Sequence, residues 1–218
     1  MPESATLSSR AGPGGLMTLD AARQSAHEAG PDAPLATLLS WVEDYLMQCH
    51  ADLGRAGAVC PFTRQAARLD TVRLAISEER ATEEDAAFAL VRSGFSTLDA
   101  IPCKAGMRHF RTVIIGFPKC DGPDGIAMLK RVQDRHKFYS LRRNRMIGLM
   151  HATSEAPGLW NSDFRPLRAP LPVIAIRHMV EHDAPFAARH PLLLLPYLAR
   201  FPIAGSKRLI AHLRAGAQ

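Results

Sequence analysis

Four short apolar runs constrain the fold of this chain more than any other feature of its sequence. They cover residues 71–76, 110–117, 145–151 and 173–180. Apolar runs of this length predict buried or half-buried strands. Segments with apolar residues at helical spacing lie before and between the first three runs and after the fourth, which gives the order α-β-α-β-α-β-β-α. That order predicts a single α+β domain with a mainly antiparallel sheet flanked by helices, which we place on one side of the sheet.

The segments between the strands predict three helices and a broken helical tail. The helices are expected over residues 34–53, 82–98 and 124–141, with Thr82 as the N-cap of the second. The tail, residues 185–212, contains three prolines that are expected to divide it into shorter helical pieces: Pro191, Pro196 and Pro202.

The N-terminal segment has a different composition from the rest of the chain. Residues 1–33 are rich in Ser, Ala, Gly and Pro and lack apolar periodicity, so we predict a flexible leader there and one domain over residues 34–218. No stretch offers the roughly 18 to 20 uninterrupted apolar residues of a spanning helix, and no secretory signal pattern opens the chain. The sequence therefore predicts a cytoplasmic protein without a membrane partner. The four cysteines show no CxxC spacing and are expected to be reduced thiols.

The charge balance favours an anionic partner. The formal net charge is +6, and arginine far outnumbers lysine, which suits bidentate recognition of carboxylates or phosphates. A GC-rich genome would produce the same arginine bias. Nucleic acid is the less attractive partner, because aromatic residues make up only 6% of the chain and no recognised nucleic-acid-binding motif accompanies the charge. The Walker loop, the GxGxxG turn, the GxSxG elbow and the HExxH helix are absent from the sequence.

Two histidines lie at the ends of predicted strands. His151 closes the run Met146–His151 before a loop rich in Pro, Gly and Asn, and His178 lies near the end of the last run. A strand fixes the direction of such a side chain while the loop leaves room in front of it, so His151 is a candidate ligand for a metal or a substrate. Alternation places His178 on one face of its strand and Arg177 on the other. The structural alternative for either histidine is a hydrogen bond to a nearby carbonyl group.

A cysteine-proline turn and a cationic cluster are the other unusual segments. Proline after Cys60 stiffens the turn that presents the thiol, while the alternative is that Cys60 and Phe62 pack into the core. Five cations surround the pair Phe138-Tyr139 and could hold propionates, a substrate carboxylate or a phosphate, unless they form a solvated helix end. They are Arg135, Lys137, Arg142, Arg143 and Arg145.

These segments carry a resemblance to a known family. The shared pattern is Cys60-Pro61-Phe62 followed by Ala66, a strand, and His151 in a Gly-Leu-Met-His stretch. It continues from Asn161-Ser162-Asp163-Phe164-Arg165-Pro166-Leu167 to the strand that ends in Arg177-His178-Met179. Over roughly residues 36 to 200 the chain resembles a bacterial domain of unknown function, and through it the YqcI/YcgG-like haem proteins.

The resemblance implies a haem-dependent oxygenase that oxidises a nitrogen atom of a small metabolite, as part of specialised metabolism. His151 would be the axial ligand of the haem iron, and Arg143 and Arg145 would neutralise the propionates. Cys60 and Phe62 would line the wall of the pocket. Such an enzyme would need a small-molecule substrate and an electron donor.

The same resemblance gives Arg177 and His178 a catalytic part, in which they orient the substrate or donate a proton. Two other classes of function stay open on the sequence. One is a haem or small-molecule sensor without turnover, and the other is a module that binds an anion or a partner through its arginine-rich face. The oligomeric state is open too, with a homodimer as one option.

Overall fold

A four-stranded sheet forms the middle layer of the computed structural model, which describes residues 15–188 and 191–215. The strands are β1 (Val72–Ile76), β2 (Thr112–Gly116), β3 (Arg145–Met150) and β4 (Val173–His178), in the order β1-β2-β4-β3. β1 and β2 are parallel, whereas β4 is antiparallel to both β2 and β3. The α+β class is confirmed, and the sheet is mixed rather than purely antiparallel.

The pairing of the strands defines two ends of the sheet. At one end Met150 pairs with Val173, so the carboxyl ends of β1, β2 and β3 meet the start of β4. At the other end Arg145 pairs with His178, where β4 finishes beside the first residues of β2 and β3. We call these the Met150 end and the His178 end.

Helices cover both faces of the sheet. They are α1 (Leu19–Ala29), α2 (Pro34–Ser40), α3 (Thr63–Arg68), α4 (Glu84–Ala100), α5 (Pro123–Arg142), α6 (Ala184–Ala187), α7 (Pro191–Arg200) and α8 (Ala204–Ala215). Helices α1 and α2 pack on the face that carries Leu74, Ile114 and Val173, whereas α4 and α5 pack on the opposite face. The expectation of helices on one side is therefore wrong. Val113, Ile114 and Ile115 are consecutive and all buried, so both faces of β2 need an apolar cover.

The N-terminal helix lies inside the segment predicted to be a flexible leader. Thr18 caps α1 by accepting a hydrogen bond from the amide of Ala21 at 3.2 Å, and Leu19 and Ala26 are buried. The preceding Met17 forms a bridge with Leu74 of β1 through two backbone hydrogen bonds of 2.8 and 2.9 Å. From residue 15 onward the structure therefore differs from the predicted leader, and residues 1–14 lie outside the described part of the chain.

Two helical segments depart from the sequence prediction. The helix expected over residues 34–53 is α2 followed by a π-helical turn, Trp41–Leu46, and a short 3₁₀ turn, Ala51–Leu53. In the tail, α7 continues through Pro196 instead of ending there, although a proline removes one backbone hydrogen bond. None of the described helices is long and apolar enough to cross a membrane.

The tail packs against the His178 end of the sheet. Tyr197 is fully buried beside Met179, and its hydroxyl donates a hydrogen bond to the carbonyl oxygen of Glu181 at 2.5 Å. These contacts hold α7 next to the end of β4. Arg200, one turn after Tyr197, is thereby placed at that end.

Candidate functional site

Two of the predicted site residues line one cavity. Arg145 and His178 are register partners in β3 and β4, and both border a cavity of about 530 Å³ at the His178 end of the sheet. We call it the arginine pocket. Its other lining residues come from α4, from the segment before β2, from the loop between α5 and β3, from the residue after β4 and from α7: Asp99, Gly106, Arg108, His109, Arg111, Asn144, Met179 and Arg200.

The environment of His178 keeps its imidazole neutral. Burial, the largest cause, and the positive charges of Arg145, Arg111 and Arg108 together lower its pKa to about 4, against an opposing effect of Asp99. At neutral pH the ring therefore carries one proton and offers one donor and one acceptor nitrogen. The arginines that lower this pKa also give the pocket a positive potential, which attracts anions.

Two polar atoms at the pocket are buried without a hydrogen-bond partner. They are Nε2 of His178 and Nε of Arg111, and the statement covers contacts within the described ranges. An unsatisfied buried polar atom costs about 1–3 kcal/mol, so such atoms are rare and usually have a reason. A ligand that enters the pocket with acceptor oxygens could satisfy both.

The arginines of the pocket differ in how far their charge is already paired. Arg145 donates to the carboxylate of Asp99, from Nε at 3.2 Å and also from Nη2, and to the carbonyl oxygen of Arg143 at 2.7 Å. Asp99 is the one carboxylate among the described lining residues. Arg108 and Arg200 are exposed and form no ion pair with a described carboxylate. Their charges are therefore not neutralised by an acid and can meet an anion, although the guanidinium carbon of Arg200 lies 5.6 Å from the centre of the Phe201 ring.

His151 lies at the opposite end of the sheet, directly after β3. Its Nδ1 is 3.0 Å from the hydroxyl oxygen of Thr153, and partial burial lowers its pKa against the weaker opposing effect of Asp121. It does not line the arginine pocket. The five residue steps from Arg145 to Met150 alone span roughly 16–17 Å of strand, so His151 and Arg145 do not share a site.

Arg177, Cys60 and Phe62 come together on the other face of β4. Burial alone would lower the pKa of Arg177, but the carboxylate of Asp183 outweighs it, so that this pKa lies above its ordinary value. The pair is bidentate, with distances of 2.8 and 2.5 Å. The guanidinium carbon lies 5.8 Å from the centre of the Phe62 ring, and the Cys60 thiol is close enough to act on it electrostatically. The guanidinium of Arg177 thus contacts both Asp183, which follows β4, and Phe62, which directly precedes α3.

Most of the predicted cationic cluster follows the alternative of a solvated helix end. Arg135 pairs with Glu84 and Asp85 at 3.2 and 3.3 Å, and Lys137 lies 3.6 Å from Asp134. The guanidinium groups of Arg142 and Arg143 lie over the rings of Phe138 and Tyr139 at 5.6 and 4.7 Å. Of the five cations, only Arg145 lines the pocket.

The seven residues predicted for a haem site are consequently divided among separate places. His151 is at the Met150 end, Arg145 and His178 are in the arginine pocket, and Arg143 stacks on α5. The residues therefore do not fit one haem site, and haem binding stays a prediction. Within the described chain there is no group of three or more His, Cys, Asp or Glu side chains that could hold a metal ion.

Sequence reasoning missed three of the pocket arginines. Arg108 and Arg111 flank the pair His109-Phe110 just before β2, so a basic pair at the entrance of a strand was an available signal. Arg200 reaches the pocket only because the tail packs on the end of the sheet. No local pattern in the sequence indicates that contact.

Fold and pocket define a single α+β domain with a basic cavity at one end of its sheet. Residues 35–212 match the model of a family described as Domain of unknown function (DUF6875), and the chain belongs to that family. The predicted membership of a family of unknown function is thus confirmed. Searches of curated proteins and of solved structures found no match. The link to the YqcI/YcgG-like haem proteins stays a prediction.

Proposed function

We propose that this protein binds a small anionic metabolite, through a carboxylate or phosphate group, in the arginine pocket. The observation that carries the proposal is the pair of unsatisfied buried nitrogens, on His178 and Arg111, beside an excess of arginine charge. An anion would supply the missing acceptors and the missing negative charge together. The cavity of about 530 Å³ is of the size that holds a small organic molecule.

Each side chain has a distinct part in this proposal. Arg108 and Arg200 are exposed and lack ion-pair partners in the described chain, so they would contact the anion from the mouth of the pocket through their planar donor groups. Arg111 would donate from Nε, since its Nη1 already donates to the backbone oxygen of Asp99 at 3.0 Å. His178 would donate from Nε2 as a neutral ring, or more strongly after it takes up a proton.

The chemistry that follows binding is a separate matter. An oxygenase reaction on a nitrogenous metabolite, with haem and an electron donor, is what the YqcI/YcgG resemblance implies, and it stays a prediction, as does the cytoplasmic location. A non-catalytic sensor would use the same anion-binding step. The proposal is therefore limited to the ligand class and to the residues that contact it.

Calorimetric titration with inorganic phosphate and with succinate at pH 7 tests the proposal. Succinamide, which has the shape of succinate without its charge, is the control ligand. We expect phosphate or succinate to bind and succinamide not to bind. Because a charge-assisted hydrogen bond contributes about 1.5–3 kcal/mol, the double variant Arg108→Gln/Arg200→Gln should bind at least tenfold more weakly.

Arg80→Gln is the matched control variant. Arg80 is an exposed arginine that follows β1 at the Met150 end, and it does not line the pocket. Its substitution changes the net charge without touching the site, so the affinity should stay within twofold of the parent value. The proposal is overturned if both anions fail to bind at millimolar concentration, if succinamide binds as well as succinate, or if the double variant binds as the parent does.

A further inference from the structure

A larger cleft lies away from the arginine pocket and shares none of its lining residues. Its volume is about 1060 Å³, and it runs between the π-helical turn Trp41–Leu46 and residues 161–170. None of the seven predicted site residues borders it. The cleft is large enough for a ligand of the size of a drug or cofactor.

One wall of the cleft is a continuous row of aromatic rings. Trp41 stacks near Tyr45 at 6.3 Å between ring centres, Tyr45 meets His50 at 6.2 Å, and His50 meets Phe164 at 4.6 Å. The indole nitrogen of Trp41 donates to the carbonyl oxygen of Arg168 at 3.2 Å, and the hydroxyl of Tyr45 donates to that of Pro166 at 3.4 Å. These bonds hold the rings in place before a ligand arrives, which reduces the entropy lost on binding.

The backbone that carries these rings has an uncommon winding. In the π-helical turn the amide of Met47 donates to the carbonyl oxygen of Val42, five residues earlier, at 3.2 Å. Such turns are rare and recur at functional sites. Trp41 and Tyr45 are four residues apart in this turn, and both line the same wall of the cleft.

The opposite wall is tied to the first by a close backbone approach. Gly54 has a φ of +74°, and a Cβ atom at this position would lie 2.7 Å from the carbonyl oxygen of Trp160. Next to it, the side-chain amide of Asn161 donates to the backbone oxygen of Asp52 at 2.9 Å. The width of the cleft is therefore set by contacts within the protein.

The charges at the cleft favour a cation. Asp44, Asp52 and Asp163 line it with exposed carboxylates. The two lining arginines, Arg165 and Arg168, are both bound to the carboxylate of Glu155, at 3.4 and 2.8 Å, and to backbone carbonyl groups. Glu155 offsets part of the charge of the two arginines, so four carboxylates stand against two guanidinium groups and the charge balance at the cleft is negative.

We propose that this cleft binds a planar aromatic cation. The flat ring of the ligand would stack on Tyr45 or His50, whose rings are partly exposed, whereas Trp41 and Phe164 are buried and back the wall. Its positive charge would lie towards the carboxylates. Aromatic faces attract cations through their quadrupole. This ligand is distinct from the anion of the arginine pocket, and neither proposal depends on the other.

Fluorescence titration tests the proposal with three probes that share a pyridine ring and differ in charge. They are 1-methylnicotinamide (cationic), nicotinamide (neutral) and nicotinate (anionic). The chain has two tryptophans, Trp41 in the cleft and Trp160 beside it, so the variant Trp160→Phe reports from the cleft wall alone. We expect saturable quenching by 1-methylnicotinamide and at least fivefold weaker binding of nicotinamide and of nicotinate at the cleft.

Variants of exposed carboxylates separate charge recognition from stacking. Asp44→Asn/Asp163→Asn should weaken 1-methylnicotinamide binding at least threefold, whereas Asp124→Asn, an exposed carboxylate outside the cleft, should leave it unchanged. Arg108→Gln/Arg200→Gln, in the arginine pocket, should leave it unchanged too. Quenching that rises linearly without saturation, equal affinity for the neutral probe, or equal affinity in the carboxylate variant would each overturn the proposal. Far-ultraviolet circular dichroism of each variant verifies that the fold is retained.

Discussion

The neutral state of His178 should make the stability of this fold depend on pH. In the unfolded chain the pKa of a histidine is about 6.5, whereas in the folded protein burial and the nearby arginines hold that of His178 at about 4. Well above pH 6.5 the ring is neutral in both states. As the pH falls below 6.5 the unfolded state binds a proton that the folded state does not bind. The free energy of unfolding therefore decreases until the pH reaches about 4.

The size of this effect follows from the two pKa values. The difference between 6.5 and about 4 corresponds to about 3.4 kcal/mol when it is fully expressed, and about 2 kcal/mol of it is expressed at pH 5. Water at the mouth of the pocket screens part of the interaction, so we expect about 1–2 kcal/mol at pH 5.

Urea unfolding of the parent protein and of His178→Leu, followed by circular dichroism at pH 8 and pH 5, measures this contribution. The pKa values of His136 and His151 are lowered as well, but both residues are present in both proteins, so their contributions cancel in the comparison. Between pH 8 and pH 5 the parent should lose about 1–2 kcal/mol more than the variant. Equal losses would show that His178 is not held neutral in the folded state, and would refute the reasoning.

Three further predictions follow from individual contacts. Gly125→Ala should cost about 1–3 kcal/mol in urea unfolding, although alanine has the better helix propensity, because a Cβ atom would lie 2.4 Å from the carbonyl oxygen of Cys120. A Cβ atom at Gly122 would face open space, so the control Gly122→Ala should cost less than 1 kcal/mol. Asp183→Asn should cost about 3 kcal/mol in the same assay, since it leaves the largely buried charge of Arg177 unpaired; a loss below 1 kcal/mol would contradict this. Sulfate, whose charge is constant over this range, should bind the arginine pocket several-fold more tightly at pH 5 than at pH 8, because it favours the protonated histidine; calorimetry that shows a flat profile would contradict the proposed contact.

The strands were predictable because burial leaves a strong local signal. All four apolar runs became strands, and their ends moved by only a few residues. Sheet topology was harder to predict, since nothing local indicates that β4 pairs between β2 and β3. The helices on both faces could have been inferred from the unbroken run Val113-Ile114-Ile115, which leaves neither face of β2 polar. The π-helical turn has no such signal, because its apolar spacing resembles that of an α-helix.

The candidate site was predicted in part, and the reason lies in the direction of β4. His151 and His178 both end apolar runs, so the sequence gives them equivalent positions. Because β4 is antiparallel to β3, their strand ends lie at opposite ends of the sheet. Only His178 meets Arg145 there, which explains why two of the seven predicted residues share the pocket and His151 does not.

The contacts around Arg177 show how a structural ion pair can place a residue of the arginine pocket. Arg177 holds Asp183, whose carboxylate also accepts a hydrogen bond from the amide of Val180 at 2.9 Å and so shapes the turn after β4. The carbonyl oxygen of Glu181 in this turn accepts the hydrogen bond of the Tyr197 hydroxyl, and α7 ends at Arg200 on the rim of the arginine pocket. Arg177 and His178 are adjacent in sequence but serve opposite faces of one strand. The first positions α7, and with it an arginine of the pocket, while the second lines that pocket directly.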